Sequence, residues 1–332
     1  MRVLVTGGGG FLGKAIVTLL RERGDAVRSF SRSEYPALAA LGVEHCRGEL
    51  GDAEAVKRAA AGCDMVFHVA AKAGVWGPFA EFYRANVLGT RHVIDACRQN
   101  GIKRLVYTSS PSVVFDGRDM EGVDESVPYP QHFEAFYPQT KAEAEQLVLK
   151  ANDTHLATVA LRPHLIWGPE DNHLVPRILE RGAKGALRRL GKRACLVDTL
   201  YIDNAALAHL LAADHLDIGS AVAGKAYFLA QGEPLPVWEV INRILEAGGL
   251  PPVTRTISPR LAYLAGALLE KIYTSLRLPG EPRMTRFVAR ELSTSHWFDL
   301  SAARRDFGYH AAVSFDEGIA RLRDWLSTRN SP

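Results

Sequence analysis

The sequence predicts an α/β fold, a doubly wound parallel sheet followed by a smaller C-terminal region. Through the first 160 residues, short apolar runs alternate with segments of helix length, which is typical of a parallel sheet with helices on both faces. The runs VLVT, MVFHVAA and LVYTSS are continuously apolar, as expected for strands buried on both faces. After about residue 165, frequent prolines divide the chain into shorter segments. We therefore expect two regions, residues 1–165 and residues 166–332.

The same pattern locates the elements of the first region. Strands are predicted at residues 2–6, 26–31, 43–47, 65–69, 104–109 and 157–161. Helices are predicted at residues 14–20, 79–99 and 137–152. The second helix is followed by Asn100-Gly101, a plausible left-handed stop. In the second region, residues 201–211 read as a helix and residues 226–229 as a strand, so this half is expected to return to the sheet.

Composition narrows the possible partners and location. The chain has 40 Lys and Arg against 37 Asp and Glu, a formal charge of +3, without a long basic run. Nucleic acid is therefore not an expected partner. Four widely spaced cysteines are interpreted as structural thiols, and no metal site is expected. The N-terminal segment lacks the pattern of a signal peptide, and no apolar stretch reaches bilayer length. We expect a cytoplasmic protein.

The longest apolar stretch of the second region, residues 261–269, ends at Glu270-Lys271. Two interpretations remain open for it. It is either a helix that covers a substrate pocket or a surface that also contacts lipid or a partner protein.

Glycines fill the junction between the first strand and the first helix. The segment reads Thr6-Gly7-Gly8-Gly9-Gly10-Phe11-Leu12-Gly13, which in this context predicts a dinucleotide-binding Rossmann fold. Gly7 is expected to turn the chain, Gly10 to admit the pyrophosphate and Gly13 to pack the helix on the strand. The backbone N–H groups at the start of the helix, at Phe11 and Leu12, would then face the phosphates.

The tip of the second predicted strand bears on the choice between NAD(H) and NADP(H). An acidic residue at this position binds the ribose 2′-hydroxyl of NAD. Here the position carries Ser31, and Arg32 follows. Because a guanidinium binds a 2′-phosphate through paired N–H donors, NADP(H) is favoured over NAD(H).

Tyr137 and Lys141 lie four residues apart, one turn apart on one face of a predicted helix. An ammonium near a phenol favours the phenolate, so Lys141 is expected to lower the pKa of Tyr137. Tyr137 would then transfer a proton to or from a substrate oxygen. Ser110, at the end of the fifth predicted strand, is the favoured hydrogen-bond donor to that oxygen, and Ser112 is its rival.

These motifs together resemble the extended short-chain dehydrogenase family along most of the chain. Further matching segments are His68-Val69-Ala70-Ala71, Asn86-Val87-Leu88-Gly89-Thr90 and Arg162-Pro163 leading to Trp167-Gly168-Pro169. The resemblance implies a supporting catalytic role for Asn86 and binding of the nicotinamide ribose by Lys141. It also implies cofactor contacts at Glu49, Leu50, Ala70, Ala71, Pro163, His164 and Leu165. The family usually has Tyr at the position of Trp167 and often Asp at that of Glu49.

Four stretches distinguish a branch within the family: Lys72 to Gly77, Leu161 to Arg177, Thr199 to Asn204 and Arg304 to Tyr309. In these stretches the chain most resembles the 3β-hydroxysteroid dehydrogenase branch. That branch includes sterol-4-carboxylate 3-dehydrogenases and bacterial 2-alkyl-3-oxoalkanoate reductases of long-chain olefin synthesis. Substrates of both kinds carry a carboxylate one carbon from the oxygenated carbon. Candidate substrate residues are Lys72, Ser112, His164, His173 and Arg177. For Lys72, Arg177 and the two histidines, a purely structural role is an equal alternative. Residues 261–269 are a candidate cover for the alkyl chains.

The favoured function is NADPH-dependent reduction of a 2-alkyl-3-oxoalkanoate, a hydrophobic acid, to the 3-hydroxy acid. A sterol-type 3-dehydrogenase is the second hypothesis and a nucleotide-sugar epimerase or dehydratase the third. A redox sensor that binds the dinucleotide without chemistry is the non-enzyme alternative. The resemblance also implies a homodimer through the helices at 79–99 and 137–152, and lipid-pathway enzymes are conceivable partners.

Overall fold

The central feature of the fold is a parallel sheet of seven strands, seen in a computed structural model that describes residues 1–330. Along the sheet the strands run in the order β12-β7-β5-β4-β1-β2-β3. The strands of the whole chain are β1 Arg2–Thr6, β2 Ala26–Ser31, β3 Glu44–Arg47, β4 Met65–His68, β5 Arg104–Thr108, β6 Met120–Val123, β7 Ala157–Pro163, β8 Ile166–Trp167, β9 Arg189–Leu190, β10 Leu196–Val197, β11 Leu200–Tyr201, β12 Lys225–Leu229, β13 Leu235–Pro236, β14 Thr256–Ile257 and β15 His296–Phe298.

Helices cover both faces of the sheet. They are α1 Phe11–Glu22, α2 Pro36–Ala40, α3 Ala53–Ala60, α4 Phe79–Phe82, α5 Gly89–Gln99, α6 Phe136–Lys150, α7 Leu174–Ala183, α8 Ile202–Asp214, α9 Val237–Ala247, α10 Pro259–Ser275, α11 Arg286–Glu291, α12 Ser301–Phe307 and α13 Phe315–Asn330. Helices α3, α5 and α6 share one apolar cluster with the sheet, and α1 and α8 belong to a second cluster. The doubly wound α/β fold predicted from the sequence is confirmed.

All six strands predicted for the first region are present, with bounds that differ by at most two residues. The helix predicted at 79–99 is interrupted by a π-helical segment, Tyr83–Leu88. This segment widens the helix at Asn86, whose buried side chain bonds to two other parts of the chain. A π-helical turn of this kind is common where a helix serves a functional site.

The strand order places the functional cleft. β1 pairs in parallel with β2 on one side and with β4 on the other. The chain therefore builds the sheet from β1 toward β3 at one edge and then from β4 toward the opposite edge. Ligands of doubly wound sheets bind at this switch point, beyond the carboxyl ends of the strands. Every element that follows β1, β2, β4, β5 or β7 therefore begins at the same edge of the sheet.

The C-terminal half contributes smaller elements around that edge. β12 lies beside β7 at the end of the central sheet, and a second sheet has the order β13-β10-β15-β6. Helix α10 packs on α11, which places α11 next to the cleft. Within residues 1–330, every helix is too short or too polar to cross a bilayer.

Candidate active site

A cavity of about 1040 Å³ runs along the carboxyl edge of the sheet from the glycine-rich turn to β15. One end is lined by Gly7, Gly10 and the start of α1, and the other end by residues of α11 and β15. The cavity therefore joins the glycine-rich turn to side chains of the C-terminal half.

The glycine-rich turn at the first end has no room for side chains. Gly7 has a φ of 72°, and a Cβ there would lie 2.9 Å from Ala70 Cα. A Cβ on Gly13 would lie 2.1 Å from the carbonyl oxygen of Gly7. Helix α1 begins after Gly10 with no side-chain cap and no acidic residue in its first turn. Its first N–H groups, at Phe11 and Leu12 on the cavity wall, therefore fit the phosphates of a dinucleotide.

The adenosine end of the cavity is lined by Ser31, Arg32, Glu49 and Leu50, as the sequence predicts. Arg32 is exposed, and its guanidinium has no hydrogen bond or ion pair with any of residues 1–330. The hydroxyl of Ser31 donates to the carbonyl oxygen of Ser33 (2.9 Å). This end therefore offers a cation, whereas the carboxylate of Glu49 already pairs with Arg84 at 3.3 Å.

Tyr35 is a residue of this end that the sequence analysis missed. A Cβ on Gly9 would lie 2.1 Å from the Tyr35 ring, so the aromatic ring covers the glycine turn. The sequence offers no periodic signal for Tyr35, because it lies in an irregular segment before the short helix α2.

Tyr137 and Ser110 line the same cavity. Burial raises the pKa of Tyr137 to about 12, although the nearby Ser110 hydroxyl acts in the opposite direction. Ser110 Oγ also lies 2.9 Å from Ser112 Oγ. Both serines and Tyr137 line the cavity, so two hydroxyls and the phenol are grouped within one site.

Lys141 lies one turn further along α6 and is buried. Its Nζ donates to the carbonyl oxygen of Thr108 (2.6 Å) and lies 4.2 Å from the centre of the Tyr107 ring. Burial lowers the pKa of Lys141 to about 7. The expected lowering of the Tyr137 pKa by this ammonium is therefore wrong for the structure described, because loss of hydration dominates at both groups.

Asn86 lies outside the cavity wall and joins elements that form it. The Lys72 N–H donates to Asn86 Oδ1 (2.7 Å), and Asn86 Nδ2 donates to the Lys72 carbonyl oxygen (3.1 Å) and to Thr140 Oγ1 (3.0 Å). Thr140 is the residue before Lys141. Asn86 is therefore a positioning residue that holds the loop after β4 against α6.

The remaining predicted cofactor residues line the wall between these two ends. They are Ala70, Ala71, Pro163, His164 and Leu165. Leu165 has a φ of 45°, an uncommon conformation for a branched side chain that tends to mark functional sites. The backbone after β7 thus bends sharply where it meets the cavity.

The residues predicted to bind the substrate carboxylate fall into two groups, those that line the cavity and one that does not. Lys72, Ser112, His164 and His173 line the cavity, and Lys72 Nζ already pairs with Glu81 at 2.9 Å. Burial lowers the pKa of His164 to about 4, so this ring is neutral near pH 7. The prediction that Arg177 binds the substrate is wrong, because Arg177 does not line the cavity and its guanidinium pairs with Glu281 at 2.6 Å.

The second end of the cavity is an apolar chamber that the sequence analysis missed. We use this name for the surface formed by Phe115, Met120, Phe287 and Phe298, with Glu291 and His296 beside it. These residues come from four separate segments, and the helix that carries Phe287 and Glu291 has six residues. A segment that short has no detectable helical periodicity, which explains the omission.

Residues 261–269 do not cover this chamber. No residue of that segment lines the cavity, and Leu261, Leu264 and Leu268 are 60–64% exposed on α10. The interpretation of residues 261–269 as a pocket cover is therefore wrong. The inward face of α10 packs on α11 and does not line the cavity.

Comparisons with known proteins agree on the class of this site. The sequence profile of the 3-beta hydroxysteroid dehydrogenase/isomerase family matches residues 4–260. The 2-alkyl-3-oxoalkanoate reductase of Stenotrophomonas maltophilia is 54% identical, covering 97% of this chain and 98% of the relative. The enzyme of the same name from Shewanella oneidensis is 52% identical, covering 96% and 84%. A solved structure, MoeE5 in complex with UDP-glucose and NAD, superposes with a TM-score of 0.77 at 26% identity over the full length of both chains.

Proposed function

Because the chain belongs to the 3-beta hydroxysteroid dehydrogenase/isomerase family, we propose that it reduces the 3-keto group of a 2-alkyl-3-oxoalkanoate with NADPH. The product is the 3-hydroxy acid. The observation that carries this proposal is that Tyr137 and Ser110 line one cavity together with the glycine turn and the apolar chamber. A ketone oxygen bound beside these two residues would be within reach of the phenol proton.

The residues of the chain then handle the oxygen of the substrate. A phenol with a pKa of about 12 is protonated at neutral pH, so Tyr137 holds the proton that the ketone oxygen must receive. Ser110 donates a hydrogen bond to the same oxygen and stabilises its developing negative charge. A dinucleotide held by Gly7, Gly10 and the start of α1 would supply the hydride for carbon 3. Lys141 and Asn86 fix the position of α6 relative to β5 and the loop after β4.

The choice of NADPH is supported by the charges at the adenosine end. Arg32 has no carboxylate partner among residues 1–330 and lies on the cavity wall. A free guanidinium binds a phosphate through two parallel N–H donors. Glu49, the acid on this wall, is paired with Arg84. A 2′-phosphate thus finds a cation and little repulsion.

The substrate class is supported by the chamber and by the relatives. Four buried apolar side chains line the end of the cavity beyond Tyr137, which favours an alkyl chain over a sugar diphosphate. The two relatives at 52% and 54% identity are named for 2-alkyl-3-oxoalkanoate reduction. A mouse sterol-4-alpha-carboxylate 3-dehydrogenase, at 34% identity, makes a carboxysterol the comparison substrate.

The test is a substrate panel with purified protein. β-Keto acids decarboxylate in solution, so NADP⁺ reduction with a 2-alkyl-3-hydroxy acid is measured beside NADPH oxidation with the fresh keto acid. A 4-carboxysterol and UDP-glucose are the comparison substrates. Turnover is expected with the alkyl acids, and turnover confined to the sterol or the sugar nucleotide would overturn the proposal.

The matched variant is Tyr137→Phe. It removes the proton donor and keeps the ring, so turnover is expected to fall by about 10²- to 10⁴-fold. NADPH binding, followed by fluorescence titration, should be retained, and undiminished turnover would contradict the role of the phenol.

A further inference from the structure

Glu291 is an acidic residue on the wall of a chamber that is otherwise apolar. It ends helix α11 and lines the cavity one turn after Phe287. Within residues 1–330, its carboxyl group makes no hydrogen bond and no ion pair. The preceding residue, Arg290, pairs with Glu134 at 2.9 Å and not with Glu291. Glu291 is therefore a polar group inside the site for which the fold itself provides no partner.

The surroundings of Glu291 favour its neutral form. Burial raises the pKa of Glu291 to about 7, and the C-terminal end of a helix also disfavours a negative charge. The titratable groups on the elements around it form no ion pair with Glu291. Lys141, whose pKa burial lowers to about 7, donates to the Thr108 carbonyl oxygen, and burial lowers the pKa values of His164 and His296 well below neutrality. The remaining charged groups on neighbouring segments are paired with one another as Glu134–Arg290, Glu270–Arg286 and Asp119–Arg193.

Glu291 lines the same cavity as Tyr137 and Ser110. A negative charge on Glu291 acts to raise the pKa of Tyr137. In a 3-oxo acid, a single carbon separates the carboxylate from the ketone carbon. A substrate whose ketone oxygen contacts Tyr137 therefore places its carboxylate in the same part of the cavity as Glu291.

Three of the ionisable groups that the sequence suggested for this carboxylate are already engaged. Lys72 pairs with Glu81, Arg177 pairs with Glu281 outside the cavity wall, and His164 is neutral with its Nδ1 bonded to the Asp198 carbonyl oxygen (2.7 Å). Neutral hydrogen-bond donors on the chamber wall are then available to meet an anion. The hydroxyl of Ser112 and a protonated carboxyl of Glu291 are such donors on this wall.

We propose that Glu291 binds the substrate carboxylate in its protonated form, so that the two carboxyl groups share one proton. This inference rests on the proposed function, since it takes the substrate to be a 3-oxo acid. Two carboxyl groups at hydrogen-bond distance cannot both ionise, and the pair retains a proton that a single carboxyl would lose. Glu291 would thereby select an acid over the corresponding ketone while leaving the chamber without a fixed charge.

Proton uptake on binding is the direct measurement. The enzyme saturated with NADPH is titrated with the 2-alkyl-3-hydroxy acid, two reduced species that cannot react with each other. Calorimetry in buffers of different ionisation enthalpy then counts the protons bound. At pH 8 the free enzyme has largely lost the Glu291 proton, so close to one proton is expected to enter with each acid bound.

The pH dependence of affinity and the variant Glu291→Gln sharpen the test. For the unmodified enzyme, the Kd of the acid should be constant below about pH 7 and rise by about tenfold per pH unit above it. Glutamine keeps a neutral donor that cannot ionise, so Glu291→Gln should bind with a similar Kd at pH 6, without proton uptake and without the rise. Glu291→Leu, with retained folding checked by circular dichroism, should weaken binding at pH 6 by about tenfold or more.

Two controls separate the possible failures. The methyl ester of the same hydroxy acid should show no dependence on pH in any variant. Glu121→Gln, at an exposed carboxylate next to the cavity residue Met120 and paired with Arg193 at 3.2 Å, should behave as the unmodified enzyme. An unchanged pH profile in Glu291→Gln overturns this inference while the hydroxy acid is still oxidised. Absence of any oxidation of the acid overturns the proposed function instead.

Discussion

The guanidinium of Arg162 and the carboxylate of Glu145 form an ion pair that is buried on both sides, with 2.6 Å between Nη2 and Oε1. Glu145 lies one turn beyond Lys141 on α6, and Arg162 lies next to Pro163 at the end of β7. The Tyr129 hydroxyl also donates to Glu145 (2.7 Å). The pair thus connects the helix that carries Tyr137 to the strand that leads into the cofactor wall.

Glu145→Ala should destabilise the protein by about 3–5 kcal/mol, because it leaves the Arg162 charge buried without a partner. It should also lower the pKa of Lys141 further, since the Glu145 charge raises it. Urea unfolding measures the first effect, and an NMR titration of the Lys141 ammonium measures the second. The exposed pair of Arg321 and Glu317 is the control, and Glu317→Ala should cost at most about 1 kcal/mol. Equal costs at the two sites would contradict the structural role of the buried pair.

The two directions of the reaction should respond differently to pH. With a pKa of about 12, Tyr137 is protonated throughout the range from pH 6 to 9. Turnover in the reductive direction, at saturating substrate, should therefore be nearly independent of pH. The oxidative direction needs the phenolate and should accelerate by up to about tenfold per pH unit. Loss of reductive turnover above pH 8 would show that the working pKa of the phenol is lower.

Arg32→Ala should affect NADPH and NADH unequally. A guanidinium contributes paired hydrogen bonds to a 2′-phosphate, so the KM for NADPH is expected to rise by about 10- to 100-fold. The KM for NADH should remain within about twofold. Arg58→Ala, at an exposed arginine on α3 outside the cavity, is the matched control. A similar change for both cofactors would indicate that Arg32 does not contact the 2′-phosphate.

Four buried histidines should make the fold sensitive to acid. Burial lowers the pKa of His68 and His296 to about 3 and that of His164 and His209 to about 4. Below pH 6.5 the unfolded chain binds protons at these positions and the native protein does not. The stability they provide is therefore fully present above pH 6.5 and is lost progressively toward pH 4.

Raised pKa values at Glu291 and Asp198 act in the opposite direction, since the native protein holds those protons longer than the unfolded chain. Urea unfolding between pH 5 and 7 measures the net slope. His68→Gln keeps polar atoms near the partners of His68, Thr6 and Thr90. It should reduce the slope of the unfolding free energy against pH by the equivalent of about one bound proton. An unchanged slope would contradict the assignment of His68 as neutral.

Local spacing was sufficient to predict the fold and to place the candidate catalytic residues Tyr137 and Lys141 on one helix face. Gly7, Gly10 and Gly13 follow the first strand at intervals fixed by the turn itself, and four residues of helix place Tyr137 and Lys141 on one face. Neighbours in sequence remain neighbours in space over such distances. The six strand positions are predictable for the same reason, because continuous apolar runs have few alternatives in a sheet buried on both faces.

Contacts between distant segments could not be predicted in this way. Arg177 appears as a free cation in the sequence but pairs with Glu281, about a hundred residues away. Phe115, Met120, Phe287 and Phe298 become one chamber only when β6, β15 and α11 assemble beside the sheet. The local sequence does not reveal this assembly, because each segment is too short to show a helical or strand periodicity of apolar residues.

The sequence by itself determined where the glycine-rich turn lies and that the Tyr137 phenol and Lys141 share one face of a helix, because both depend on backbone geometry within a few residues. The tertiary structure decided the protonation of the groups around that phenol. Burial, which depends on the whole chain, raises the pKa values of Tyr137 and Glu291 and lowers that of Lys141. A charge loses its hydration only when the remote parts of the fold close around it.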